Sequence, residues 1–467
     1  MSTSMDWTDA SGSSDGLAPS GGPAPHRPNG AAGPHNSDMQ ALKSRIHRRL
    51  LERLNLSSLD AVDRGEAERV IAEVTQELLT WEKFPLNRDE RDVLVEQILD
   101  EIFGLGPLEP LMQDPDITDI LVNSHDQVYV EKGGILYPTD VRFQDDRHLL
   151  QVIDRIVSAV GRRIDDSSPM VDARLPNNSR VNAVIPPLAV DGPHMSIRRF
   201  RQDTMKGEDL INGGALSQPM LELLSGVVKA RLNVLISGGT GAGKTTLLNI
   251  LSTSIPHNER IITIEDSAEL QLQQPHTVRL ETRPANIEGR GEVSQRMLVV
   301  NALRMRPDRI IVGEVRGSEA VDMLQAMNTG HDGSLTTLHA NSPRDALTRL
   351  ETLVSMANLN LPDKAVRQQI ASALDVVIQL SRLPDGSRKV MAISEVVGME
   401  GDVITMQDLF VYERQGLAED GKVLGRFRPT GVRPSFADKL AARGIDLRGL
   451  LFLEAEREPR EEVESRW

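Results

Sequence analysis

The sequence predicts an α/β fold for its larger part, a mostly parallel sheet with helices on both faces, preceded by a small α+β region and a helical one. Three observations carry that prediction. From Ser217 to about Val397, helical stretches alternate with short apolar runs, the pattern of consecutive strand–helix units. One apolar run, Val234-Leu235-Ile236, feeds a glycine-rich turn that opens a helix. Two more, Ile261 to Ile264 and Ile310 to Val312, each run into a carboxylate.

The glycine-rich stretch reads NVLISGGTGAGKTT from Asn233 to Thr246 and meets the spacing G-x-x-x-x-G-K-[ST] in its required strand–loop–helix setting. Glycines let backbone N–H groups converge on phosphate oxygens, and the helix N-terminus adds a favourable dipole. Gly239, Thr240, Gly241, Ala242, Gly243, Lys244, Thr245 and Thr246 are therefore the expected cradle for a nucleoside triphosphate. Lys244 would reach the β- and γ-phosphates, and the Thr245 hydroxyl would ligate Mg2+.

The run RIITIED, from Arg260 to Asp266, reads as a buried strand with two carboxylates at its C-terminal end, where ligands bind in open α/β sheets. A carboxylate there can polarise the water that attacks a γ-phosphate, the role expected of Glu265. Arg309 to Glu314 (RIIVGE) repeats the design, with Glu314 where an Asp is usual. From Gly330 to Asn341, His331 and His339 bracket a Ser/Thr strand, a pattern expected of a γ-phosphate sensor. Between the two acids, Arg279 and Arg283 are candidates to stabilise a transferring phosphoryl group from across a subunit interface. Of the earlier arginines (Arg162, Arg163, Arg174, Arg180, Arg198, Arg199), most read as solvated surface charge. Arg198, in the Ser196-Ile197-Arg198-Arg199 run, is the exception.

The chain has 467 residues, a net charge of −15 and no cysteine. The acidity gives no support to a nucleic-acid partner, and the lack of cysteine excludes disulfides and Cys-ligated metals. No apolar run reaches the ~18 residues of a spanning helix. The N-terminus lacks the basic-then-apolar order of a signal peptide. A cytoplasmic protein that meets a membrane only through partners is the expectation.

Residues 1–38, rich in Ser, Gly and Pro, read as a disordered tail. Residues 39–104 read as a helical bundle. Its first helix carries Leu42, Ile46, Leu50 and Leu54, with Arg45, His47, Arg48 and Arg49 on a solvated face. The second runs from Ala67 to Phe84 with Val70, Ile71, Val74 and Leu78. The third, from about Asn87 to Phe103, turns Val93, Leu94, Ile98 and Ile102 inward and starts with a capping-box spacing at Asn87 and Glu90. Residues 105–200 read as α+β: strands at Ile117 to Leu121 and Val128 to Val130, a hairpin turn at Gly133-Gly134, and a helix from His148 to Val160. Residues 201–216 read as a linker, 217–455 as the α/β domain with a C-terminal subdomain, and 456–467 as an acidic tail.

Taken together these residues resemble the type II/IV secretion ATPase superfamily. GGTGAGKTT stands as Walker A, IITIEDSAEL as the Asp box, RPDRIIVGEVRGSEA as Walker B and GHDGSLTTLHANSP as the His box. Within that superfamily the chain resembles the CpaF-type motors of tight-adherence (Tad) pili, through GLGPLEPLM, GRRIDDSSPMVDARLPNNSRVNAV, SIRRF, ETRPANIEGRGEV and GKVLGRFRPTGVRP. The resemblance implies a RecA-like P-loop ATPase domain behind a PAS-like α+β domain and a three-helix bundle. It implies a homohexamer, with ATP held between the two domains and adjoining subunits. By motif position, Lys244 and Thr245 take phosphate and Mg2+, Glu265 is the general base, and Glu314 organises Mg2+ or water. His339 senses the γ-phosphate, and Arg198, Arg279 and Arg283 are the candidate fingers.

The work implied is ATP-driven domain rotation passed to an inner-membrane pilus platform, with peripheral membrane association through partners and no nucleic acid. A conjugation or type IV secretion traffic ATPase is the alternative, and it would lack the bundle over 39–104. A RecA-like helicase fits the acidity poorly. A nucleotide-gated assembly protein with negligible turnover fits the two strand-end acids poorly.

Overall fold

Leu42, Ile46 and Leu50 recur at every fourth position, so on a helix they share one stripe; all three are fully buried against Ile71, Leu78, Leu94 and Ile98. The computed structural model describes residues 39, 42–43, 45–46, 49–50, 64–82, 85–200, 205–285, 290–357 and 359–452. They fall into two compact units divided between Glu109 and Pro110. The tails expected over 1–38 and 456–467, and the inward position of Leu54, lie outside the described residues.

In the first unit, α1 (Arg64–Trp81) and α2 (Arg88–Phe103) complete the cluster around those leucines. Asn87 caps α2 as expected: its side chain accepts from the Glu90 N–H at 2.8 Å, and the Glu90 carboxylate accepts from the Asn87 N–H at 2.9 Å. One inward assignment is corrected, because Val93 is 49% exposed. Helical neighbours sit ~100° apart, so the stripe through Leu94 and Ile98 leaves Val93 at its margin and takes Val95 instead. On the basic face of the first helix Arg45 and Arg49 are exposed, as expected. Arg49 pairs with Glu82 at 2.6 Å, and Lys43 is buried against Glu101 at 3.1 Å.

The second unit holds two sheets. The first comprises β1 (Ile117–Ser124), β2 (Gln127–Lys132), β3 (Ile135–Pro138), β4 (Met170–Arg174), β5 (Arg180–Val184) and β6 (His194–Arg198). Their order is β3-β2-β1-β6-β5-β4, and every neighbouring pair is antiparallel. The two-residue turn between β2 and β3 needs positive φ at both positions, which Gly133 (59°) and Gly134 (88°) supply. The accompanying helix, α3, spans Asp146–Ala159 and is capped by Asp145. The linker reading of 201–216 is corrected in part. Gly207–Asn212 is helical, Asp209 accepts from the Lys206 N–H at its start, and Leu216 is buried in the core that follows.

That core belongs to the second sheet. In chain order its elements are α4 (Gln218–Lys229), β7 (Val234–Gly238), α5 (Lys244–Ser252), β8 (Ile261–Glu265), β9 (Thr277–Glu281), α6 (Gln295–Ala302), β10 (Arg309–Val312), α7 (Glu319–Asn328), β11 (Leu335–Leu338), α8 (Pro343–Ser355), α9 (Asp363–Ala373) and β12 (Val376–Arg382). The strands from β12 through β7, β11, β10 and β8 to β9 are parallel. β13 (Arg388–Glu400), β14 (Val403–Leu417) and β15 (Val423–Pro429) then extend the same sheet as an antiparallel meander. Central strands are apolar on both faces because both are covered. Val234 and Ile236 pack with Leu223, Val227 and Leu248 on one side, and Leu235 packs with Val299, Leu324 and Leu350 on the other. No described helix is long and apolar enough to cross a membrane.

Candidate functional site

Parallel strands aim their carboxyl ends the same way, so whatever follows β7, β8, β10 and β11 gathers along one edge of the sheet. After β7 comes the glycine-rich loop. Gly241 (φ 69°) and Gly243 (φ 95°) hold left-handed backbone that other residues adopt only with strain, and Lys244 opens α5. Lys244 is buried, and its Nζ donates to the carbonyls of Gly238 and Gly239, each at 3.0 Å. Burial, seconded by Arg198 and Arg316, pushes its ammonium below the ordinary lysine range against the pull of Glu314. Ala242 is buried in the core, Gly239 and Thr240 are exposed, and Thr245 and Thr246 are half-buried on the first turn of α5.

Glu265 ends β8 and is buried. Its Oε1 accepts from the backbone N–H groups of Glu269 and Leu270, both at 2.9 Å, while its Oε2 has no hydrogen-bond partner among the described residues. Burial carries the carboxyl up to about 7, although the two N–H groups and Arg279 favour the charged form. Gly313, beyond the end of β10, makes this packing possible: a Cβ there would stand 2.7 Å from Glu265 Cγ.

Glu314 sits in the opposite electrostatic setting. Its Oε2 accepts from Arg316 Nη2 at 2.8 Å, and its Oε1 faces His339 Nε2 at 2.8 Å. Burial opposes its charge, but Arg316, His339 and Lys244 outweigh burial and hold its carboxyl below the usual range. Arg316 also reaches Asp266 at 3.2 Å, so one guanidinium ties the acid after β8 to the acid after β10. His339, just past β11, is held below the ordinary imidazole range by burial and by Lys244. Two neighbouring carboxyls driven apart in this way are the usual mark of divided roles in proton transfer.

The candidate arginines divide. Arg198, at the end of β6, lies near enough to Lys244 to weigh on its charge. Arg279 donates to the Ala268 carbonyl at 3.0 Å and bears on Glu265. Within this chain Arg283 is turned to its own loop, where Nε donates to the Gly291 carbonyl at 2.7 Å. The histidine pair is corrected: His331 precedes β11 and His339 follows it, so the strand separates them and only His339 reaches the site edge.

Three arginines were missed by sequence reading. Arg316 lies two residues past Glu314, a spacing that was visible. Arg174 and Arg180, read as surface charge, dock on the segment that caps Glu265. Arg174 pairs with Glu281 and donates to the Ala268 carbonyl, and Arg180 pairs with Glu269 at 3.2 Å. Only the tertiary packing of β4 and β5 could reveal that.

The residues fit a magnesium nucleoside triphosphate. Positive-φ glycines, a buried lysine and a helix N-terminus suit phosphate oxygens. The Thr245 hydroxyl and the Glu314 carboxylate are the hard oxygen donors that Mg2+ prefers. Among the described residues no group of three or more His, Cys, Asp or Glu could hold a metal ion.

The class is thus that of P-loop α/β proteins. The model of the type II/IV secretion system protein family matches residues 101–423, and that of the N-terminal domain of type II secretion system protein E matches residues 39–103. The chain belongs to the type II/IV secretion system protein family. A Mycobacterium tuberculosis (strain H37Rv) protein named for a conjugal transfer role is 41% identical over 331 residues, covering 69% of this chain and 93% of that protein. The type IV secretion system protein VirB11 of Bartonella quintana is 31% identical over 327 residues, covering 62% and 91% respectively. Among solved structures, the VirB11 ATPase of the Brucella suis type IV secretion system is 30% identical, with a TM-score of 0.34 over 64% of this chain and 95% of that one.

Proposed function

We propose that this chain is a Mg2+-dependent ATPase that powers a secretion-class machine. The observation that carries the reading is the convergence of Lys244, Glu265, Glu314 and His339 on one sheet edge, with the two carboxyls displaced in opposite directions. In this reading residues 239–246 cradle the phosphates, and Thr245 with Glu314 would hold Mg2+, which supplies charge neutralisation on the phosphate oxygens. Glu265 takes the proton of the attacking water, because a carboxyl near neutrality is the better matched base. Glu314 stays charged. His339 meets the γ-phosphate, and Arg198, Arg279 and Arg283 offset developing charge, some of them from a neighbouring subunit.

The assembly we propose is a homohexamer at the cytoplasmic face of an inner membrane, attached through platform proteins. The domain reading stays as drawn from sequence: a three-helix bundle over 39–104, a PAS-like domain over 105–200, and a RecA-like domain over 217–455. Two machines fit. Relatives named for conjugal transfer and for VirB11 favour conjugation or type IV secretion. The match of 39–103 to the N-terminal domain of a type II secretion protein favours a pilus motor of the Tad kind. Those relatives are covered over 86 to 93% of their own length by 62 to 69% of this chain, and their names weigh toward conjugation or type IV secretion.

The test is ATP turnover together with solution mass, for wild type and Glu265→Gln, with and without ATP. A hexamer whose turnover is lost in the variant supports the reading. A monomer with unaltered turnover in the variant overturns both the ring and the base.

A further inference from the structure

Arg174, on β4, and Arg180, on β5, stand directly opposite each other in the antiparallel sheet. Like charges in that relation repel, so the two side chains need acidic or carbonyl partners to settle beside one another. Both find them on one segment of the other sheet, residues 267–269, which follows β8. Arg180 Nη2 donates to the Ser267 carbonyl at 3.3 Å, and its Nε lies 3.2 Å from Glu269 Oε1. Arg174 Nη2 donates to the Ala268 carbonyl at 3.1 Å, and its Nη1 pairs with Glu281 Oε2.

These contacts meet at Ala268, which is buried. Its carbonyl also accepts from Arg279 Nη2 at 3.0 Å, and its N–H donates to Glu281 Oε2 at 3.2 Å. Glu281 is the β9 residue registered against Glu265 on β8. The carbonyl gripped by two guanidinium groups belongs to the peptide unit that ends in the Glu269 N–H. That N–H donates to Glu265 Oε1 at 2.9 Å. A peptide unit is planar and trans, so its C=O and N–H point opposite ways from one rigid plate. Fixing the carbonyl therefore aims the N–H, and the Leu270 N–H joins it on the same oxygen at 2.9 Å. With Oε1 held in this way, Oε2 is the Glu265 oxygen without a hydrogen-bond partner among the described residues.

We propose that Arg174 is a positioning residue for Glu265, acting through the Ala268–Glu269 peptide. It holds the carbonyl of that peptide, the N–H of the same peptide holds Oε1, and Oε2 is left to take a proton. The seating of the antiparallel sheet is thereby tied to the aim of the acid at the end of β8. The inference rests on the ATPase reading, with Glu265 as base, for its consequence in turnover. Its geometry rests on the hydrogen bonds alone.

The first readout is hydrogen–deuterium exchange of the nucleotide-free full chain, resolved at the Glu269 and Leu270 amides. Glu265→Ala, which removes their acceptor, sets the rate at which the two amides exchange when unheld. In Arg174→Met, both are expected to exchange at least about tenfold faster, the scale of losing a hydrogen bond to a charged group. The amides of α5 should keep their wild-type rates, which separates a released peptide from a loosened fold. The second readout is ATPase kinetics, with kcat lowered at least about tenfold, within the ~10²-fold that an ångström of misplacement can cost, and KM for ATP within about twofold. A folded Arg174→Met chain with unmoved exchange at both amides overturns the proposal. A raised KM with unchanged kcat also overturns it, and would give the arginine to nucleotide binding. If Met at this position prevents folding, Glu281→Ala decides in the same way, since it removes the carboxylate that Arg174 and the Ala268 N–H share. Should wild type hydrolyse no ATP, the proposed function fails, while the exchange rates still decide the positioning.

Discussion

His339 lies between two charges of opposite sign: Nε2 is 2.8 Å from Glu314 Oε1, and Nδ1 is 3.4 Å from Lys244 Nζ. A neutral ring can donate Nε2–H to the carboxylate, while the ammonium lies 3.4 Å from each ring nitrogen. Burial and Lys244 favour that neutral form over Glu314's pull toward the charged one. His339 is therefore the side chain that touches both the lysine of the glycine-rich loop and the acid beyond β10.

Arg316 decides how firmly Glu314 keeps its charge. Removing the guanidinium in Arg316→Ala deletes the hydrogen bonds to Glu314 and Asp266 and leaves burial to raise the Glu314 carboxyl. Turnover is expected to fall by about 10²-fold, the scale of losing one charge-stabilising donor, with nucleotide affinity changing much less. Steady-state kinetics beside a fluorescent-nucleotide titration checks the split. Equal losses in both would place Arg316 in binding instead.

Glu265 predicts two pH dependences from one carboxyl. Its folded value, about 7, lies above the ordinary 4.5, so the folded chain holds this proton more tightly than the unfolded one. The stability it contributes is complete below the ordinary value and is lost as pH rises through about 7. The penalty at alkaline pH is on the order of 3 kcal/mol. Thermal midpoints of wild type should therefore drop relative to Glu265→Gln between about pH 5 and 8. Turnover runs the other way, rising through the same window as the base loses its proton. A flat rate profile across neutrality would remove Glu265 from the proton transfer.

Sequence patterns carried the parallel core because buried strands are marked by runs that are apolar on both faces, as in Ile261 to Ile264. They singled out Glu265, Glu314 and His339 because each stands at or just past such a run, and Lys244 because the glycine-rich spacing follows another. They did not carry the meander β13–β15, whose strands are long, mixed in polarity and without intervening helices. Nor did they carry Arg174 and Arg180, whose partners lie 87 to 107 positions away. Spacing alone also made His331 the equal of His339. The direction of β11 separates them.

Gly313 carries a prediction of space alone. A methyl there would meet Glu265 Cγ at 2.7 Å, and Glu265 is buried at the end of its strand. In Gly313→Ala the carboxylate must swing away from the N–H groups of Glu269 and Leu270. Nucleotide affinity should persist, since the glycine-rich loop is untouched, while turnover falls about tenfold or more, the scale of losing general-base assistance. Unchanged turnover would mean that Glu265 tolerates displacement and is not held in a working geometry.

Arg309 tests the fold without touching the site. It is wholly buried at the start of β10, paired with Glu259 and donating to the Gly333 carbonyl at 3.2 Å. Burial opposes the Glu259 charge, but Arg309 and then Arg231 hold its carboxyl below the usual range. That stability is therefore present at neutral pH and is lost as pH falls through the depressed value. Glu259→Ala strands a guanidinium in the core and should destabilise the chain by roughly 3–5 kcal/mol, whereas Glu259→Met with Arg309→Met should come close to neutral. Unfolding of the single and double variants measures the difference. Because this pair sits at the amino ends of the parallel strands, opposite the site edge, molecules of either variant that remain folded should bind nucleotide as wild type does. A double variant as unstable as the single one would show that the pair's shape, and not its charge balance, is what the core requires.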